Sequence, residues 1–189
     1  MSLSNIEHDI GGAVDYLESH GYPSGNIYII GFCSGAASSC IFASQNSIGA
    51  LVLDGCFASV KDMFNRQAEI RSIPEFLVNI FVPGVLLMAK VIYSYDLVNP
   101  VDVVADIDCP ILFIHEEYND IVTHEEMLQL FMDSGNPANE FWEVSNSEHS
   151  RSYKTYPNEY IDRISNFLSV RADNEPPKSR LSQVPGEDQ

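Results

Sequence analysis

The residues best suited to covalent chemistry lie in Gly31-Phe32-Cys33-Ser34-Gly35, a G-x-nucleophile-x-G frame with a thiol at its centre. A nucleophile on a sharp turn between a strand and a helix needs small neighbours two positions to either side, because the backbone there approaches other elements closely. The start of the following helix would favour a thiolate at Cys33. A nucleophile so placed attacks acyl carbonyls, and it needs a base for the proton and an N–H for the oxyanion. Ser34 offers the amide. His149, in Asn146-Ser147-Glu148-His149-Ser150, follows the last apolar run and stands where the base belongs when acid and base come from the ends of later strands. The other histidines suit surface or packing roles: His8 and His20 in the first helix, His115 at a strand end, His124 in a helix's first turn.

The elements that must hold these residues alternate along the chain. An amphipathic stripe of Ile6, Ile10, Ala13, Val14 and Leu17 predicts a helix closed by Gly21 and Pro23. Apolar runs at 27–30, 50–53, 111–115 and 141–144 lack polar alternation, which suits parallel strands covered on both faces. Helices are expected from Ser34 to about residue 44, from Ser59, from the capping box Thr123-x-x-Glu126, and from Pro157, with a short helical turn at 102–107. Strands alternating with helices in this way predict an α/β fold, a mostly parallel sheet with helices on both faces. Residues 1–171 form the expected domain, with a cap-like insertion at about 70–95, and 172–189 (ADNEPPKSRLSQVPGEDQ) read as a disordered tail.

Composition narrows the function classes. With 10 Lys plus Arg against 27 Asp plus Glu in 189 residues, the net charge of −17 repels polyanions, so neither nucleic acid nor an anionic membrane is expected as a partner. The apolar run 76–93 approaches the length of a membrane span, but it is interrupted at Pro83-Gly84 and carries Asn79 and Lys90, which predicts two short helices instead. Cys33, Cys40, Cys56 and Cys109 form no C-x-x-C pair, which argues against a disulfide framework and a cysteine zinc site and suits a reducing compartment. The first residues carry no export signal, so the cytoplasm is expected.

Over about residues 6–168 the chain resembles the α/β-hydrolase superfamily. LVLDGCFAS (51–59), CPILFIH (109–115) and EHSRSY (148–153) are similar to acyl-aminopeptidase-like serine hydrolases and small esterases, and GFCSGA (31–36) resembles dienelactone hydrolases, which use a cysteine there. The resemblance implies hydrolysis of a small ester, thioester or amide through a covalent acyl-enzyme, with a small-molecule acyl substrate and no metal or cofactor. Cys33 would attack, His149 would carry the proton and Ser34 would face the oxyanion. In these families the loop after the third of these strands reads G-x-x-D-x-x-V. Here it is EEYNDIV (116–122), which puts Asn119 in the acid slot, with Asp120 or Asp54 as substitutes. Asparagine can orient an imidazole but stabilises its cation less than a carboxylate does.

The families also carry strands before the nucleophile strand, and a loop among them gives a second oxyanion donor whose loss costs about a hundred- to a thousandfold in rate. This chain starts at the helix before that strand, so an N-terminally incomplete hydrolase of weak activity is expected. A non-catalytic relative acting as a binding module is the alternative. The uncovered sheet edge could then support self-association.

Overall fold

The computed structural model describes residues 3–93 and 98–172, and the alternating pattern assembles as one parallel sheet. Helix α1 (Leu3–Ser19) leads through a short 3-10 turn to β1 (Tyr28–Phe32), α2 (Ser34–Gln45) and β2 (Ala50–Asp54). Then come α3 (Val60–Ile70), α4 (Glu75–Tyr93), α5 (Pro100–Val103), β3 (Ile111–Tyr118) and α6 (His124–Asp133). Strand β4 (Glu140–Glu148), α7 (Ser152–Thr155) and α8 (Pro157–Ala172) complete the described chain. The strand order is β1-β2-β3-β4 and every neighbouring pair is parallel.

Both faces of β2 and β3 are covered, as their unbroken apolar runs require, whereas β1, whose run was expected to be covered likewise, keeps Ile30 and Phe32 exposed on one face. Leu51, Leu53, Ile111 and Phe113 pack with Val14 of α1, Ala36, Ala37 and Cys40 of α2, and Met127 and Leu130 of α6. On the other face Val52, Leu112, Ile114, Trp142 and Val144 meet Tyr160, Ile164 and Phe167 of α8. All five residues of β2 are buried. Helix starts follow the side-chain chemistry: Ser59 Oγ accepts the Asp62 amide at 3.3 Å, while Thr123 and Glu126 cap each other's backbone N–H groups.

Two differences from the sequence reading have physical causes. Residues 75–93 form one helix rather than two, with Pro83 inside it. Proline removes a single ladder bond, and the leucine-, methionine- and alanine-rich flanks are good enough helix formers to continue past it. Strands β3 and β4 run on beyond their apolar runs, to Tyr118 and Glu148, because a register shift between Glu116 and Tyr118 lets the polar ends keep pairing. That extension carries the chain to His149 at the strand's end. The expected tail lies outside the described residues apart from Ala172, the last residue of α8. Among the described residues no helix is long and apolar enough to cross a membrane.

Candidate active site

The turn between β1 and α2 holds Cys33 at φ 51°, ψ −116°, a conformation side chains rarely adopt. Such a backbone costs of the order of 1–3 kcal/mol and persists only when its surroundings enforce it. Two contacts do so here. The Cys33 amide donates to the Asp54 carbonyl at 2.9 Å, and its own carbonyl accepts from Ala37 at 3.1 Å, starting α2. Gly31 is needed for the same turn, since a Cβ there would lie 2.6 Å from Ala36 Cα. Gly35 is different: a Cβ at that position meets nothing within 4 Å, so the second glycine of the frame answers no close approach.

Burial pushes the Cys33 thiol up and outweighs the opposing effect of the Ser34 amide, with the nearby Glu116 adding a lesser push upward. The helix-start amide therefore loses to desolvation, and Cys33 is a neutral thiol at pH 7 rather than the thiolate expected from the sequence. Ser34, the expected oxyanion donor, is the exposed first residue of α2. Cys40 and Cys109, pushed to about 12 by burial, and the fully buried Cys56 are less reactive still.

His149 follows β4, and its Nδ1 lies 3.0 Å from Asn119 Oδ1. The hydrogen-bond network fixes both the amide and the imidazole. Asn119 Oδ1 accepts the amides of Ile121 and Val122 at 3.0 and 2.9 Å, while Nδ2 donates to Glu116 Oε2 at 2.7 Å. The oxygen must then face the ring, so His149 Nδ1 is the donor and Nε2 keeps its lone pair. Nε2 is buried with no hydrogen-bond partner. Burial holds the imidazole below its usual range, partly offset by the Glu116 and Asp120 charges, which leaves a neutral ring ready to take a proton. Gly55, at the end of β2, lies against this ring: a Cβ there would come within 3.0 Å of His149 Cε1. The thiol turn and the imidazole thus flank the same Asp54-Gly55 corner.

The remaining candidates separate. Asp120 is exposed and acts on His149 only as a nearby charge; the hydrogen-bond partner of Nδ1 is Asn119. Asp54 is 1% exposed and its carboxyl accepts from Tyr160 Oη at 2.9 Å, while the His149 Nδ1 partner is Asn119. Burial, with the Glu116 carboxyl beside it, pushes Asp54 up to about 8, so at pH 7 it is predominantly protonated.

Glu116 was not a sequence candidate. It is fully buried and accepts Asn119 Nδ2, the Ser150 amide and Ser152 Oγ at 2.7, 2.9 and 2.9 Å. Its signal in the sequence was a carboxylate continuing the apolar run ILFIH, where a charge needs partners to be tolerated.

No protein-family model matches the chain, and no curated protein sequence does. Solved structures do. The esterase Pf2001 of Pyrococcus furiosus superposes with a TM-score of 0.67 at 23% identity, over 86% of this chain and 61% of the esterase. The α/β hydrolase GrgF of a Penicillium species gives 0.64 at 13% identity, over 90% and 73% of the two chains. The chain has the α/β-hydrolase fold. A Klebsiella pneumoniae protein assigned to the dienelactone hydrolases gives 0.57 at 14% identity, over 85% of this chain and 59% of that one. The chain spans about three-fifths of the length of the Pyrococcus esterase.

Proposed function

We propose that the protein hydrolyses small esters, thioesters or amides through an acyl-enzyme on Cys33. The observation that carries this reading is the imidazole: His149 Nδ1 is held by Asn119 Oδ1 at 3.0 Å, and its Nε2 is buried, unpartnered and free to accept a proton. A neutral thiol and a neutral imidazole make general-base catalysis the route. Cys33 Sγ attacks the carbonyl carbon as His149 Nε2 takes the thiol proton, and the oxyanion forms by the Ser34 amide. His149 returns the proton to the departing alcohol, thiol or amine. Water, deprotonated by the same nitrogen, then cleaves the thioester to acid and free thiol.

Helix α4 with the end of α3 is the cap of this reading. Between them lies a cavity of about 310 Å³ whose mostly apolar lining, with Phe64, Leu77, Val78 and Phe81, carries Gln67 and Arg71 as its polar groups and suits an acyl chain. The free state of all four thiols suits the cytoplasm.

A second reading, a binding module that pairs through β1, is favoured by Ile30 and Phe32, which are 42% and 47% exposed on the face that α8 leaves bare. One experiment separates the two. p-Nitrophenyl acetate is mixed with the protein, with Cys33→Ala and with His149→Ala, and acetyl adducts are mapped by mass spectrometry beside light scattering. Acetylation at Cys33 with turnover lost in both variants supports the enzyme. Adducts elsewhere, or turnover unchanged in Cys33→Ala, overturn it; dimers abolished by Phe32→Lys without any turnover favour the module.

A further inference from the structure

On the opposite face of β3 from Glu116 a second group of side chains converges, and the hydrolase reading makes no use of it. His115 of β3 and Glu143 of β4 are register partners on neighbouring strands, so their side chains leave the sheet on the same side. His124, the first residue of α6, comes down over them: its Nδ1 lies 3.1 Å from Glu143 Oε1, and its ring meets that of His115 edge-on with centroids 5.4 Å apart. One candidate ligand atom from each of the three lies within 4.8 Å of the other two. Three consecutive elements, β3, α6 and β4, therefore deliver two imidazoles and a carboxylate to one spot.

A surface His–Glu ion pair would account for His124 and Glu143 alone. It does not account for His115, which is 2% exposed and whose Nδ1 is buried with no hydrogen-bond partner. A buried polar nitrogen without a partner costs stability and calls for a reason. His124 and Glu143 keep side-chain exposures of 41% and 48%, which gives an ion a route in and leaves both side chains room to close on it.

We propose that His115, His124 and Glu143 bind a borderline divalent cation of the zinc class. Two imidazoles and one carboxylate are a donor set zinc takes at about 2.0–2.2 Å, with water completing a tetrahedron. Hard cations such as Mg²⁺ and Ca²⁺ prefer oxygen donors and are excluded by the two imidazoles. The bound ion would clip the first turn of α6 to β3 and β4. It would sit across the sheet from Asn119 and His149.

The test is calorimetric titration of Zn²⁺, and of Co²⁺ read by its visible d–d bands, into the full chain after chelator treatment and dialysis. Cys33→Ser serves as the background, so that the thiol of the other site does not compete. Expected are one Zn²⁺ per chain, an intense tetrahedral Co²⁺ spectrum, and a rise in Tm with Zn²⁺ that Mg²⁺ does not give. His124→Ala and Glu143→Gln, both at partly exposed positions that should leave folding intact, should each weaken binding by at least about tenfold. Zinc affinity unchanged in both variants, or no saturable binding to the background protein, overturns the proposal. Neither outcome bears on turnover at Cys33, so the two readings fail separately.

Discussion

His115 and Glu116 are consecutive in β3, both buried, and their side chains leave opposite faces of one strand. Glu116 is saturated: an asparagine amide, a backbone N–H and a serine hydroxyl converge on it from two loops. His115 has a buried nitrogen that receives nothing. The difference teaches where the fold has committed its polar groups. On the Glu116 face a negative charge was buried and a network grew around it, ending at the imidazole. On the His115 face the polar group is left for something outside the chain.

The largest expected effect comes from removing the saturated partner. Glu116→Ala strands the Asn119, Ser150 and Ser152 donors together and frees Asn119 to rotate. Urea unfolding should show a loss of about 3 kcal/mol or more, since breaking a buried charged network is among the costliest single changes. Glu116→Gln keeps an acceptor oxygen and should cost clearly less. If the two variants lose the same stability, the charge rather than the hydrogen bonds governs this face.

Asparagine in the acid slot has a structural reason in the same network. Its Nδ2 donates to Glu116 at 2.7 Å, so an aspartate at 119 would put a third carboxyl against Glu116 and Asp54. Asn119→Asp therefore loses a charge-assisted bond and adds like-charge repulsion, and should destabilise the fold by about 1–3 kcal/mol. Adding Glu116→Gln gives the new carboxylate an amide donor. The double variant should recover stability lost by the single one, and it is the background in which a carboxylate beside His149 should raise turnover. Strict additivity of the two substitutions would show that residues 116 and 119 do not interact.

The protonated Asp54 sets the pH dependence. In the unfolded chain an aspartate titrates near 3.9, roughly the usual value; in the fold Asp54 is pushed up to about 8. Between those values the native state holds a proton the unfolded state has lost, so stability falls as pH rises through this window. His115 and His149 lie below their unfolded range, and that linkage acts the other way, taking stability away as pH falls below about 6.5. Above that pH, and up to about pH 7.5 where the buried thiols begin to add to it, Asp54 dominates, and stability should drop by about 1 kcal/mol per pH unit. Asp54→Asn mimics the protonated form and keeps an acceptor for Tyr160. Its unfolding free energy should be flat over this window; a slope equal to that of the parent would assign the proton elsewhere.

Much of this was legible in the sequence because it depends on periodicity. The runs at 50–53 and 111–115 could only be two-sided strands, and the Cys33 frame and His149 follow from where such strands end. What was not legible depends on the third dimension. Glu116 was read as the start of the loop after the third strand, and only the fold brings Ser150 and Ser152, more than thirty residues on, to cover it. The thiolate expected at Cys33 failed for the same reason, since helix-start chemistry is local and desolvation is not. His115, His124 and Glu143 carry no shared spacing; the β3–β4 register pairs His115 with Glu143, and the start of α6 brings His124 over them.

The smallest expected effect closes the comparison from its other side. His115→Leu replaces a buried ring, whose Nδ1 has no partner, by an apolar side chain of similar bulk. It forfeits the edge-on contact with His124, a loss of about 0.5–1.5 kcal/mol at most, and removes the cost of an unsatisfied nitrogen, which is of similar size. In metal-free buffer the two should nearly cancel and leave unfolding within about 1 kcal/mol of the parent. Adding Zn²⁺ should then separate the proteins, raising the Tm of the parent and leaving His115→Leu where it was. A substitution at 115 as costly as Glu116→Ala in the absence of metal would mean that the nitrogen is already satisfied, and that the two faces of β3 are built alike.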